Sequence, residues 1–235
     1  MSKRPKPTYA RDHCIYLDFE GEGRSKNRGS PPPHLAGVYR PKSFQWGNAH
    51  YKATFFKESW SSITRVRGAC TYAPSIADFI NGLLDEAEQN DQKIVYWSDY
   101  ERAVVAEQCP EHLERFKANS INLLPTAKRY INRRRMTLNT EDDKVLNQYL
   151  RTLKPNAKTV KTPQIGAAES CRRTDAALAV HSRFKRWPLR TKQIFIALLA
   201  YNADDCRALF TLSKKLLKTP KTNQAQPEQK PTEDK

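Results

Sequence analysis

Residues 13–20 read HCIYLDFE, and the placement of this stretch decides the fold. Its residues alternate in the way a half-buried strand does. Successive side chains on a strand point to opposite faces. Ile15, Leu17 and Phe19 therefore share one face, and Cys14, Tyr16, Asp18 and Glu20 share the other. Two carboxylates on one face of an apolar strand repel each other and resist burial. A divalent cation between them removes both penalties, and it prefers oxygen ligands of this kind. The competing reading is an exposed strand end with both acids solvated.

Outward from this strand, residues 24–33 (RSKNRGSPPP) read as a loop, and residues 35–40 and 50–57 as extended runs set off by Pro and Gly. A strongly periodic helix follows. Ile76, Phe79, Ile80, Leu83, Leu84 and Ala87 form one apolar stripe, with Ser75 placed to cap it. Ile94 to Trp97 reads as a buried strand, followed by a helix over 99–108. Helices are also expected over 122–131, 143–153, 167–180 and 191–217. Strands first, then strands alternating with helices, predict an α/β domain with a mixed sheet. Residues 1–12 (MSKRPKPTYARD) read as a flexible basic arm and residues 219–235 as a disordered tail with one apolar residue, Ala225. Residues 13–218 are left as a single domain.

Two further stretches carry acids in telling positions. IVYWSDYE (94–101) runs from strand into helix with Asp99 and Glu101 at the junction. Ser98 and Glu101 have the spacing of a capping box, and Asp99 complements a helix dipole, so each acid has a structural explanation. YNADD (201–205) lies on the last helix. Tyr201 and Asp205 stand four residues apart, on a face that otherwise carries leucines. An aspartate in an apolar stripe needs a partner, either a cation or one of the many arginines. Asp204 points away and reads as solvated.

In this order, the three segments resemble the RNase H-like 3′–5′ exonuclease superfamily known as DEDD. The likeness is to the tyrosine type, and particularly to bacterial RNase H-like domains with a Tyr-Glu second motif. Asp18 and Glu20 in YLDFEGEG match the first motif. Glu101 matches the acid of the second, where most members have Asp, and Asp99 is the alternative. Tyr201 and Asp205 match the Tyr-x3-Asp third motif, and Ala200 stands where the histidine type would need its histidine. LLPTAKR (123–129) and CRALFTL (206–212) are also similar to these domains. The likeness spans roughly 13–217, with a basic insertion at about 132–173 where members often have a shorter connection.

The resemblance implies an RNase H-like mixed β-sheet flanked by α-helices, and two divalent ions, Mg²⁺ or Mn²⁺, about 4 Å apart. Asp18 would ligate both ions. Glu20 and Asp205 would complete one site, Glu101 would act directly or through water, and Tyr201 would orient the attacking water. Arg133, Arg134, Arg135, Arg172, Arg173, Arg183, Lys185 and Arg186 would hold phosphates. Trp97, Tyr100 and Trp187 are candidates to stack on bases, with core positions as their competing reading.

Composition agrees with such a partner. Of 235 residues, 41 are Lys or Arg against 25 Asp or Glu. The excess is concentrated: residues 117–192 carry 18 basic against 5 acidic, whereas 75–116 carry 3 against 10. A stretch this basic is expected to meet a polyanion such as nucleic acid, DNA or RNA alike. The longest uncharged apolar stretch, Ile194 to Ala203, is too short to span a membrane. No signal peptide is visible, and five scattered cysteines without a CxxC pair argue against zinc and disulfides. A cytoplasmic protein is expected. Two readings compete with a nuclease: a catalytically degenerate RNase H-like module that binds nucleic acid, and one that docks partner proteins.

Overall fold

The computed structural model describes residues 13–23, 29, 31–41, 50–66, 70–138, 145–157 and 165–217. The expected arm (1–12) and tail (219–235) lie outside them, as do 139–144 and 158–164 of the basic insertion.

Six strands form one sheet: β1 (Cys14–Glu20), β2 (Leu35–Arg40), β3 (His50–Phe55), β4 (Cys70–Tyr72), β5 (Lys93–Tyr96) and β6 (Ser120–Asn122). Their order is β4-β3-β2-β1-β5-β6. β1, β2 and β3 form an antiparallel meander, β5 and β6 run parallel to β1, and β4 runs parallel to β3. Seven α-helices accompany them among the described residues: α1 (Ile76–Gln89), α2 (Asp99–Gln108), α3 (Leu113–Asn119), α4 (Leu123–Arg134), α5 (Leu146–Leu153), α6 (Ala167–Val180) and α7 (Leu189–Leu216). The mixed α/β architecture is the expected one and is compatible with an RNase H-like fold.

Alternation along β1 sorts the two layers. Ile15, Leu17 and Phe19 pack with Ile80, Leu83, Leu84 and Ala87 of α1 and with Val104, Val105 and Phe116 of α2 and α3. Cys14 and Tyr16, on the other face, pack under α4, α5 and the second half of α7. The first half of α7 joins α6 over Leu35, Ala53 and Phe55. Thus α7, about 42 Å long at 1.5 Å per residue, crosses the whole second face. The buried Tyr16 hydroxyl meets Ser213 Oγ at 2.7 Å and fixes one end of that crossing. Ser75 caps α1 as read, its hydroxyl accepting from the Asp78 N–H at 3.1 Å.

Three elements were not legible in the sequence. β4 and β6 have three residues each, too few to alternate. α3 is seven residues with a single buried side chain, Phe116, so it has no stripe. Trp97 and Trp187 are buried, at 6% and 2% exposure, and belong to the core rather than to a stacking surface.

One polar knot ties α6 to the end of β1. Asp175 accepts from Trp60 Nε1 at 2.7 Å, His34 Nε2 at 2.9 Å and Lys57 Nζ at 2.5 Å. The His34 backbone N–H in turn donates to Glu20 O at 2.8 Å. These hydrogen bonds hold the Asp175 carboxyl well below the usual carboxylate range despite its partial burial. Asp175→Ala would strand two buried donors, the Trp60 indole and the His34 ring. The expected loss is about 2–4 kcal/mol of unfolding free energy. Urea denaturation checks it, with Asp175→Asn, which keeps one acceptor, falling between the two.

Candidate metal centre

β1 and β5 are parallel, so their carboxyl ends finish side by side. That is where ligands bind in open α/β sheets. Asp18 and Glu20 stand at the end of β1, and α2 begins directly beyond β5 with Glu101 in its first turn. α7 crosses above them and presents Asp205.

One carboxylate oxygen from each of Asp18, Glu20 and Asp205 lies within 4.8 Å of the others. Glu20 is 8% exposed, Asp205 7% and Glu101 3%. Among the described residues, no lysine or arginine pairs with any of these four acids. The arginine partner considered for Asp205 is therefore not found there. Burial pushes Asp18 well above the carboxylate range, and repulsion from Glu20, Asp205 and Glu101 adds to it. Glu20 is raised in the same way, by burial first and then by Asp205 and Glu101. Burial lifts Asp205 to about 7, against a hydrogen bond from Tyr201 that lowers it. Burial likewise lifts Glu101 to about 7, opposed by hydrogen bonds from the backbone and Ser98. Clustered hard oxygen donors without a positive side chain fit a divalent cation, whose ligands stand about 2–2.5 Å from it.

Glu101 closes the capping box of α2 and lies near enough to the acids for its charge to raise Asp18 and Glu20. Its Oε2 accepts from the Ser98 N–H at 3.2 Å and from Ser98 Oγ at 3.3 Å, completing the capping box. Both bonds go to the same carboxylate oxygen, and the charge of the group is felt by Asp18 and Glu20. Asp99, the alternative acid, is on the surface at 71% side-chain exposure. It pairs with Arg102 at 3.0 Å and accepts from Asn122 Nδ2 at 3.1 Å. Asp204 pairs with Arg207.

Tyr201 is partly buried beside Asp205, and burial with the surrounding carboxylates holds its hydroxyl protonated. Tyr100 is partly buried. Its hydroxyl is enclosed and has no hydrogen-bond partner among the described residues. Burial raises its pKa first, and the charges of Glu101, Glu20 and Asp18 add to it.

Sequence reasoning missed the side chain that contacts Asp18 directly. Asn202, fully buried, donates from Nδ2 to Asp18 Oδ2 at 2.6 Å and to Asp18 O at 3.2 Å. Its position three residues before Asp205, and hence on the same helix face, was the available signal.

Among the described residues, the candidate phosphate-binding residues fall on three different parts of the fold. Arg133, Arg134 and Arg135 are exposed at the end of α4. The Tyr130 ring there lies under both Arg134 (5.5 Å) and Lys215 of α7 (5.9 Å). Arg183, Lys185 and Arg186 are exposed at the opposite end of α7, where Lys192 Nζ donates to Lys185 O at 2.7 Å. Arg172 and Arg173, on α6, both pair with Glu169, at 3.0 and 2.8 Å. No helix among the described residues is long and apolar enough to cross a membrane. No protein-family model matches this chain, and no curated protein matches it.

Proposed function

We propose that this protein is a metal-dependent nuclease that hydrolyses phosphodiester bonds, acting as a 3′–5′ exonuclease on single-stranded nucleic acid. The convergence of Asp18, Glu20 and Asp205 within 4.8 Å, with buried Glu101 beside them, is the observation that carries this reading. The tyrosine-type DEDD resemblance and the concentrated positive charge support it. The five cysteines form no disulfide among the described residues, and four of them are buried, which suits the cytoplasm.

The four acids would hold Mg²⁺ or Mn²⁺. Once bound, such ions neutralise charge on the phosphodiester and acidify a water for attack. Tyr201, kept protonated, serves as a hydrogen-bond donor rather than a base, and its bond to Asp205 fixes its direction. Tyr100 offers a second enclosed donor facing the same charges. The arginine clusters would set affinity and register on the phosphates without selecting sequence.

A 5′-labelled single strand should shorten progressively with Mg²⁺ or Mn²⁺ and stay intact in chelator. DNA and RNA should be tried in parallel, because sugar preference depends on 2′-hydroxyl contacts. Glu101→Gln and Asp18→Asn should fold and bind nucleic acid but lose cleavage by orders of magnitude, whereas Asp99→Asn should stay near wild type. Glutamine can still accept the Ser98 cap. Intact substrate with both metals and both sugars would leave the degenerate binding or docking module.

The metal-free protein should be less stable at pH 8 than at pH 5. Asp205 and Glu101 titrate near 7 when folded and near 4 when unfolded, so the native state holds extra protons between those values. Their stabilising contribution is present at low pH and lost as pH rises through about 7. Calorimetry should show this slope flattened in Glu101→Gln. Added Mg²⁺ should raise the melting point more at pH 8 than at pH 5.

Nucleic-acid affinity should fall steeply with salt. Replacing Arg133, Arg134 and Arg135 together by alanine should flatten that dependence by about one unit of slope for each phosphate these arginines neutralise. Fluorescence anisotropy across a salt series reads it, and an unchanged slope would take these arginines off the strand's path.

A further inference from the structure

We propose that Asn202 is the positioning residue of the acidic centre, a buried amide clamp that fixes Asp18 for cation binding and is itself held by Tyr51 and Gly37. The inference rests on the reading of the four acids as a divalent-cation site and adds to it the device that orients its central ligand.

Three observations carry it. Asn202 Nδ2 reaches Asp18 twice, at 2.6 Å to Oδ2 and 3.2 Å to the backbone carbonyl. The side chain is thereby locked to its own strand. The other end of the amide is fixed as well, because Tyr51 O–H donates to Asn202 Oδ1 at 2.6 Å. That bond settles which end of the amide faces Asp18: Oδ1 takes the phenol's hydrogen, so the N–H₂ must face the carboxylate. Finally, the amide lies where a side chain of β2 would otherwise be. A Cβ on Gly37 would fall 1.8 Å from Asn202 Oδ1 and 2.9 Å from the Tyr51 ring. Gly37 is the register partner of Asp18 on β1 and of Ala53 on β3, so the gap opens directly beside the acid.

The chemistry explains why an amide stands there. A lysine or arginine would neutralise Asp18 and exclude a cation, and an aspartate would add repulsion to a crowded centre. An amide N–H orients the carboxylate without changing the net charge. It occupies one lone pair on Oδ2 and leaves the remaining lone pairs for metal. Outer hydrogen bonds of this type typically govern metal affinity by 10–100-fold.

The test is isothermal titration of the full chain with MnCl₂, with circular dichroism melting as the control for folding. Asn202→Leu keeps the branched shape but leaves the Tyr51 hydroxyl stranded. The double variant Tyr51→Phe/Asn202→Leu removes both polar partners and is the better-tolerated form. It should bind Mn²⁺ at least about tenfold more weakly than wild type. Cleavage at fixed Mn²⁺ should lose kcat with the oligonucleotide KM unchanged. Tyr51→Phe alone keeps the amide but frees it to turn, and should weaken Mn²⁺ about threefold, the worth of one buried hydrogen bond. It carries the test by itself should the double variant not fold. Wild-type affinity in folded variants would overturn the clamp while leaving the cation site standing. Absence of Mn²⁺ binding by the wild type would overturn the cation reading and the clamp with it.

Discussion

Four carboxylates gathered at one strand end, with no positive side chain paired to them among the described residues, form the constraint on which the rest of this structure depends. Desolvation is the largest influence on each, and mutual repulsion comes next for Asp18 and Glu20. A protein selected for stability alone would place a lysine here or expose the strand end. Instead the chain spends a 28-residue helix and two strands on holding the acids together. Uncompensated buried charge is unfavourable, so the surrounding scaffold must be stiff enough to resist it. The Trp60–Asp175–His34 knot behind Glu20 and the Tyr16–Ser213 contact at the far end of α7 provide that stiffness.

The crossing of α7 over β1 and β2 is where stiffness becomes geometry. A helix packed on a sheet normally stands off by the thickness of the intervening side chains. At Gly37 there is none, and Asn202 fills the gap with a polar group instead of an apolar one. Cys206 Sγ also meets Gly37 O, at 3.4 Å, one helical turn further on. The close approach lets a side chain of α7 reach the backbone and carboxylate of Asp18 together. At the other boundary, Glu101 caps α2 and at the same time raises Asp18 and Glu20 by its charge. Cap and ligand looked like competing explanations because each accounts for a glutamate. A capping carboxylate keeps its charge, so the buried Glu101 ends the helix and acts on the acids at once.

Much of this was legible in the sequence. The alternation in HCIYLDFE located β1 and put Asp18 and Glu20 on one face, and the stripe from Ile76 to Ala87 located α1. The position of Asp205 within a leucine face made its burial predictable. β4, β6 and α3 were not legible, because three-residue strands and a one-anchor helix owe their form to neighbours in space. The Asn202–Tyr51 partnership escaped for the same reason: the two are 151 residues apart, and the helix face that Asn202 shares with Asp205 does not point to Tyr51. Only the missing side chain at Gly37 makes them partners. Pattern reading finds residues that obey a local period, whereas a relay across three elements has none.

Two of the basic groups stand near the two ends of α7, away from Asp205 along the helix. From Asp205, the C-terminal end of α7 near Lys215 is ten residues away, about 15 Å along the axis, and Leu189 is sixteen residues the other way, about 24 Å. Both exceed the ~8 Å Debye length at physiological ionic strength. Arg207, only two residues from Asp205, pairs with the surface Asp204 and so leaves the buried acids without a positive partner. Under the proposed function, positive charge at either end of α7 would attract a polyanion while the acids between keep their charge for a metal. A strand drawn by both ends would then have to pass the middle of α7, where Tyr201, Asn202 and Asp205 face the sheet.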